Sequence, residues 1–108
     1  MTKWIHLSGY SKQILAEETD LALKGTQIQL ARFKKGKHKH YHKRKSEFFY
    51  FLKGEGKVII DGKEKLMKPG MSLLIKPNMV HDFIRTSSEP WEAIMFKTNS
   101  SADDTFTK

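Results

Sequence analysis

From residue 26 onward, short apolar runs alternate with turns rich in glycine and proline, the pattern of an all-β chain. Residues 26–33 alternate, with Ile28 and Leu30 on one face and Gln27 and Gln29 on the other. Residues 48–52 (FFYFL) are apolar on both faces, as in a strand covered on two sides. Residues 58–60 and 64–67 flank Asp61-Gly62, a hairpin signal because both positions tolerate positive φ. Residues 72–75, 80–85 and 91–97 read as further strands, 72–75 as a buried one, separated by Pro69-Gly70, Pro77-Asn78 and the polar stretch 87–90. The first 25 residues are less regular: 4–7 reads as a short strand, 13–20 as a helical turn or an irregular lead-in. Residues 99–108 are polar and lack a pattern, and are expected to fray. No long stretch has helical periodicity, so the expected architecture is an all-β sandwich or barrel.

Size changes this picture little. A chain of 108 residues closes a single core with little to spare, and one domain is expected over 1–98. Small domains short of core often add disulfides or a metal. With no cysteine, disulfides and thiolate zinc sites are excluded, and imidazole and carboxylate remain as ligand types. The start has no apolar run after a basic segment, and no stretch is apolar for the roughly 18 residues a membrane span needs. Cytoplasm is the expected compartment.

Charge adds one feature. Much of the formal +8 lies in seven cations, Lys34, Lys35, Lys37, Lys39, Lys43, Arg44 and Lys45. Such a patch attracts nucleic acid, an acidic membrane surface or a small anion; otherwise it is a solvated loop that favours solubility. Tyr41 is the only aromatic within it, so base-stacking platforms are scarce and nucleic-acid binding is the remote reading.

The candidate chemistry lies in the same segment. His40, His42 and Glu47 form H-x-H-x4-E, ending at Gly54, and His81 follows much later. In an extended segment His40 and His42 share a face, but the five steps from His42 to Glu47 break that parity. The stretch 43–46 must therefore bulge or turn to bring Glu47 back. Three neutral imidazoles and one carboxylate suit one divalent transition metal (Zn, Mn, Fe, Ni or Cu) and not a calcium cage. His38 stands two residues before His40, so a His38–His40 pair is the alternative register, two residues too far from Glu47. If His81 points inward, Met79, Phe83 and Arg85 share its face, and Arg85 either grips an anion or reaches solvent from the strand end. By the same alternation Phe49 and Phe51 follow Glu47 inward. Phe48, Tyr50 and Leu52 then face out, a row too apolar to leave wet. Either the N-terminal segment or a second subunit is expected to cover it.

These residues resemble a single-domain cupin, over roughly residues 28–96, with the motif-bearing core at 28–97. His40-Tyr41-His42, Glu47 and Gly54 match the family's first motif, and Gly70, Pro77 and His81 match the second. Gly36 stands four residues before His40 where six is usual, Met71 replaces a common aspartate, Asn78 replaces the turn glycine, and Arg85 stands where asparagine is frequent. The resemblance implies a double-stranded β-helix, a jelly-roll barrel of antiparallel strands. It also implies His40, His42, Glu47 and His81 as metal ligands at one end of the barrel, and a homodimer. The pocket would include His38, Phe49, Phe51, Met79, Phe83 and Arg85. The expected function is a metal-dependent isomerase or oxygenase type of chemistry on a small anionic substrate, a carboxylate or a sugar phosphate. The alternative is a barrel that binds a small molecule without converting it. Fold alone does not choose between them.

Overall fold

The computed structural model describes residues 3–34 and 40–107. Its strands are β1 (Ile5–His6), β2 (Tyr10–Ala16), β3 (Gln27–Phe33), β4 (His40–Tyr41), β5 (Ser46–Lys53), β6 (Gly56–Ile60), β7 (Lys63–Met67), β8 (Ser72–Ile75), β9 (His81–Arg85), β10 (Trp91–Thr98) and β11 (Phe106–Thr107). A one-turn helix, α1 (Glu18–Leu21), is the helix among the described residues. Two antiparallel sheets face each other, ordered β1-β2-β3-β10-β5-β8 and β11-β4-β9-β6-β7. From β4 onward the chain passes repeatedly from one sheet to the other. That winding makes a double-stranded β-helix, the jelly-roll barrel expected.

Alternation builds the core. On β5, Glu47, Phe49 and Phe51 point inward while Phe48, Tyr50 and Leu52 point out. Phe51 is fully buried, its ring stacked 5.3 Å from Trp91, and Phe33 lies 4.6 Å from the same indole. Val58, Met67, Leu73 and Ile75 close the barrel from the other strands. Each buried aromatic or aliphatic side chain stabilises by about 1.5–3 kcal/mol. The turns behave as their residues dictate: Asp61 (φ 48°) and Gly62 (φ 85°) take the left-handed hairpin conformation, and Asn78 (φ 69°) fills its glycine-like position. At Gly54 the chain turns with φ 76° directly under the Pro90–Trp91 backbone, where a Cβ would lie 2.6 Å from Trp91 Cα. Only glycine satisfies both demands.

Several expectations are corrected. Of residues 13–20, read as a helical turn or an irregular lead-in, 13–16 instead complete β2, which pairs with β3, while 18–20 do fall in the one-turn helix α1. The strand β8 is buried on one face only, with Leu73 and Ile75 in and Leu74 out. On β3 the alternation holds, and the inner face that it leaves open is the one carrying Gln29, Ala31 and Phe33, with Ile28 and Leu30 on the outer one. The C-terminal stretch is not frayed: β11 pairs with β4, and Asp104 is 1% exposed. Nor does the N-terminal segment cover the outer row, because β1 and β2 extend the far edge of the sheet beyond β3. Phe48, Tyr50, Leu52, Leu74 and Ile94 are each 36–48% exposed.

Candidate metal centre

The site forms where β4, β5 and β9 meet at one end of the barrel. His40 on β4 is directly opposite His81 on β9 in the ladder, and their Nε2 atoms are 2.9 Å apart. His42 follows β4 on the same face as His40. The donor atoms of His40, His42 and His81 all lie within 4.8 Å of one another. Glu47, at the start of β5, brings Oε1 to 3.4 Å from His42 Nε2 and 3.7 Å from His81 Nε2. The structure thus brings together His40, His42, Glu47 and His81. His38 lies outside the described residues.

The excursion demanded by the His42–Glu47 spacing is present, and an acid from the C-terminal segment shapes it. The Asp104 carboxylate accepts hydrogen bonds from the backbone N–H groups of Lys43 (2.9 Å), Arg44 (3.0 Å) and Lys45 (2.9 Å). Burial would raise the Asp104 carboxyl, but these three donors and the Arg44 charge hold it below the ordinary carboxylate range. Asp104 was not legible as a site residue, because it sits in a polar tail without periodicity.

Ring tautomers follow from the outer partners. His42 Nδ1 is 2.8 Å from the Asp104 carbonyl, and His81 Nδ1 is 2.9 Å from the Met79 carbonyl. A carbonyl only accepts, so both Nδ1 atoms carry hydrogen and donate it. In the neutral rings the Nε2 lone pairs then face the centre. His42 Nε2 is buried without a hydrogen-bond partner, although the Glu47 carboxylate is nearby. A lone pair facing a carboxylate is unfavourable. A cation shared by the ring and the carboxylate removes that conflict.

The surroundings favour the metal-ready protonation states. Burial, then the neighbouring His40, lowers His81 from 6.5 to about 4, so its ring is neutral at physiological pH. Burial opposes ionisation of Glu47, but contact with His42 and the Lys45 charge, joined in acid by the imidazoles as they protonate, outweigh it and hold the carboxyl at about 2. This donor set fits a divalent transition metal: carbonyl-tethered imidazoles, an ionised carboxylate, an orphaned buried acceptor, and spacings near the ~3–4 Å that donors about 2.1 Å from one ion adopt.

A cavity of about 140 Å³ opens beside these residues. Phe33, Phe49 and Phe83 form an apolar side, with Phe83 4.7 Å from Phe33 and 4.9 Å from Phe49. Tyr10, Lys45 and Thr105 line this cavity and also a second, more polar one of about 480 Å³, which Lys97 lines too. Burial and Glu47 raise the Tyr10 phenol to about 12, while burial and the charges of Lys45 and Lys12 lower Lys97 to about 8. Lys45 Nζ lies 3.5 Å from Glu47 Oε2.

Not every expected pocket residue is there. Phe49 and Phe83 line it, but Phe51 belongs to the sealed core and Met79 packs at the core's margin. Arg85 does not reach the cavity. Its guanidinium donates to the carbonyls of Ser87 (3.0 Å) and Ser88 (2.9 Å), because the strand ends there and the following turn offers two acceptors. The basic run is also partly spent: Arg44 pairs with Asp103, Lys43 lies over the Phe106 ring and Lys45 turns toward Glu47.

Residues 29–97 match the Cupin domain family, and the chain belongs to it. No curated protein matches the chain. Solved structures that resemble it include the nucleoside dehydratase Pac13 from Streptomyces (10% identity, 99% of this chain and 84% of that one, TM-score 0.82). Ectoine synthase from P. lautus is similar at 17% identity over 97% and 80% of the two chains, TM-score 0.77. A sugar phosphate isomerase of the cupin superfamily from Silicibacter pomeroyi is similar at 22% identity over 93% and 66%, TM-score 0.74. At these identities the likeness establishes the fold. Among the described residues, no helix is long and apolar enough to cross a membrane.

Proposed function

We propose that this cupin holds one divalent transition metal between His40, His42, His81 and Glu47 and acts there on a small anionic molecule, a carboxylate or a sugar phosphate. The observation that carries the reading is the convergence of three imidazole donors within 4.8 Å, two of them tethered through Nδ1 to backbone carbonyls. When bound, such a metal supplies a Lewis acid for substrate oxygens. The chain's own groups would do the rest. Lys45 sits where the two cavities meet and Lys97 lies beyond it, so an anionic group reaching past the metal residues meets two cations. Tyr10, kept protonated, offers a hydrogen-bond donor at the same junction. The Phe33, Phe49 and Phe83 side excludes water from the reacting end. The resembling enzymes named above act on small molecules, which agrees with a pocket of this size.

Metal analysis of the purified protein beside His42→Ala tests the reading. Stoichiometric metal in the parent and its loss in the variant are expected; equal metal in both would refute the site. Turnover of a small carboxylate or sugar phosphate, lost on chelation, marks an enzyme, whereas tight binding without turnover marks a carrier.

The exposed row of Phe48, Tyr50, Leu52, Leu74 and Ile94 supports a second copy of the chain as its cover. The face is continuous over β8, β5 and β10 and is apolar, a surface that monomers seldom leave to water.

A further inference from the structure

We propose that the C-terminal segment 101–107 is a working part of the metal centre, with Asp104 as the positioning residue that holds His42 and the 43–45 turn in the metal-binding arrangement. The inference rests on the metal reading above and adds to it a segment outside both sequence motifs.

The need for such a residue follows from parity. His42 and Glu47 cannot both face inward along a regular strand. Over residues 43–45 the backbone therefore leaves the ladder, and three consecutive N–H groups lose strand partners. Such part-buried donors need new partners, and each hydrogen bond that supplies one contributes about 0.5–1.5 kcal/mol, more with a charged acceptor. All three converge on the Asp104 carboxylate at 2.9–3.0 Å. The same residue's carbonyl takes the His42 Nδ1–H at 2.8 Å, which sets the tautomer and leaves Nε2 for the metal. One residue thus satisfies both the turn and the ring.

The rest of the segment docks on the same strip. Phe106 and Thr107 pair with Tyr41 and His40. The Phe106 ring stacks on Tyr41 at 5.4 Å, and Asp103 and Ser101 hold the Arg44 guanidinium at 2.7 and 2.5 Å. These contacts fall on residues 40–44, which include two of the four proposed ligands. Without the segment, β4 is a two-residue strand whose remaining ladder partner among the described residues is β9, through His40. Docking and metal binding therefore favour each other, and by linkage each strengthens the other by the same factor.

The test uses the full chain, stripped of metal, with zinc titrated against a competing chelator. Asp104→Asn keeps the shape but replaces one acceptor oxygen with a donor group facing an N–H. The main-chain carbonyl behind His42 is unchanged, so the variant acts through the loosened 43–45 turn and should weaken zinc affinity about tenfold, the lower end for loss of a partner behind a ligand. Asp103→Asn removes an exposed carboxylate from the same segment and should stay within about twofold, because surface ion pairs contribute little. In the parent protein, zinc should slow hydrogen exchange at the amides of Lys43, Arg44 and Lys45. An Asp104→Asn protein that melts earlier but binds zinc like the parent would overturn the proposal, leaving Asp104 a structural residue only. If that variant does not fold, exchange in the parent decides: unchanged protection on adding zinc overturns it. A parent that takes up no zinc or other divalent metal removes the metal reading, and this inference with it.

Discussion

Acidification should destabilise the metal-free protein through His81 before it affects the carboxylates. His81 is 1% exposed, and burial with the nearby His40 lowers it from 6.5 to about 4. The unfolded chain therefore takes up a proton on this ring between pH 6.5 and 4 while the folded chain does not. The stability that depends on a neutral His81 is complete above about pH 6.5 and is lost as pH falls toward 4. The full shift corresponds to about 3 kcal/mol, and about 2 kcal/mol of it falls between pH 7 and pH 5. That is a large share of the 5–15 kcal/mol typical of a domain. Glu47, held at about 2, contributes stability that is present above 4.5 and is lost only as pH falls from there, outside this window. The assay is urea denaturation with a chelator present, at pH 7 and pH 5, for the parent and His81→Gln. The variant is less stable at both pH values for packing reasons, so the informative quantity is the difference between them. It should shrink by about 2 kcal/mol in the variant. Parallel pH dependence in the two proteins would refute the assignment of His81 as a buried neutral ring.

Three further outcomes follow from the same geometry. Gly54→Ala meets the Pro90–Trp91 backbone at positive φ and should cost more than about 2 kcal/mol, whereas Gly62→Ala, also at positive φ but in open space, should cost about 1; equal midpoints in urea would contradict the close approach. The parent should sediment at about twice 12.6 kDa at micromolar concentration and Tyr50→Glu at 12.6 kDa; a monomeric parent would leave the outer face unexplained. Arg85→Met should leave anion affinity within about twofold, since its guanidinium serves the 87–88 turn; a tenfold loss by calorimetry would place it at the site after all.

Much of the barrel was legible in the chain because a strand's period of two is a local property. Phe48 to Leu52 announced which side chains would enter the core, and Asp61-Gly62 and Asn78 announced their turns by their tolerance of positive φ. The spacing of His40, His42 and Glu47 likewise required an irregularity at 43–46, and the excursion is there. What the chain did not disclose were choices made by long-range pairing. No local pattern in 99–108 said that Asp104 would collect three amide hydrogens more than fifty residues away. Periodicity in residues 26–33 told which residues share a face but not which face is inside, and β3 turns Gln29 inward. Arg85 kept its predicted place on β9, yet two carbonyls beyond the strand captured its side chain. Alternation constrains a side chain only to one side of its own strand. Where a group finds its hydrogen-bond partners, and which distant segment supplies the acceptors for a turn that has left the ladder, is decided when the sheets close.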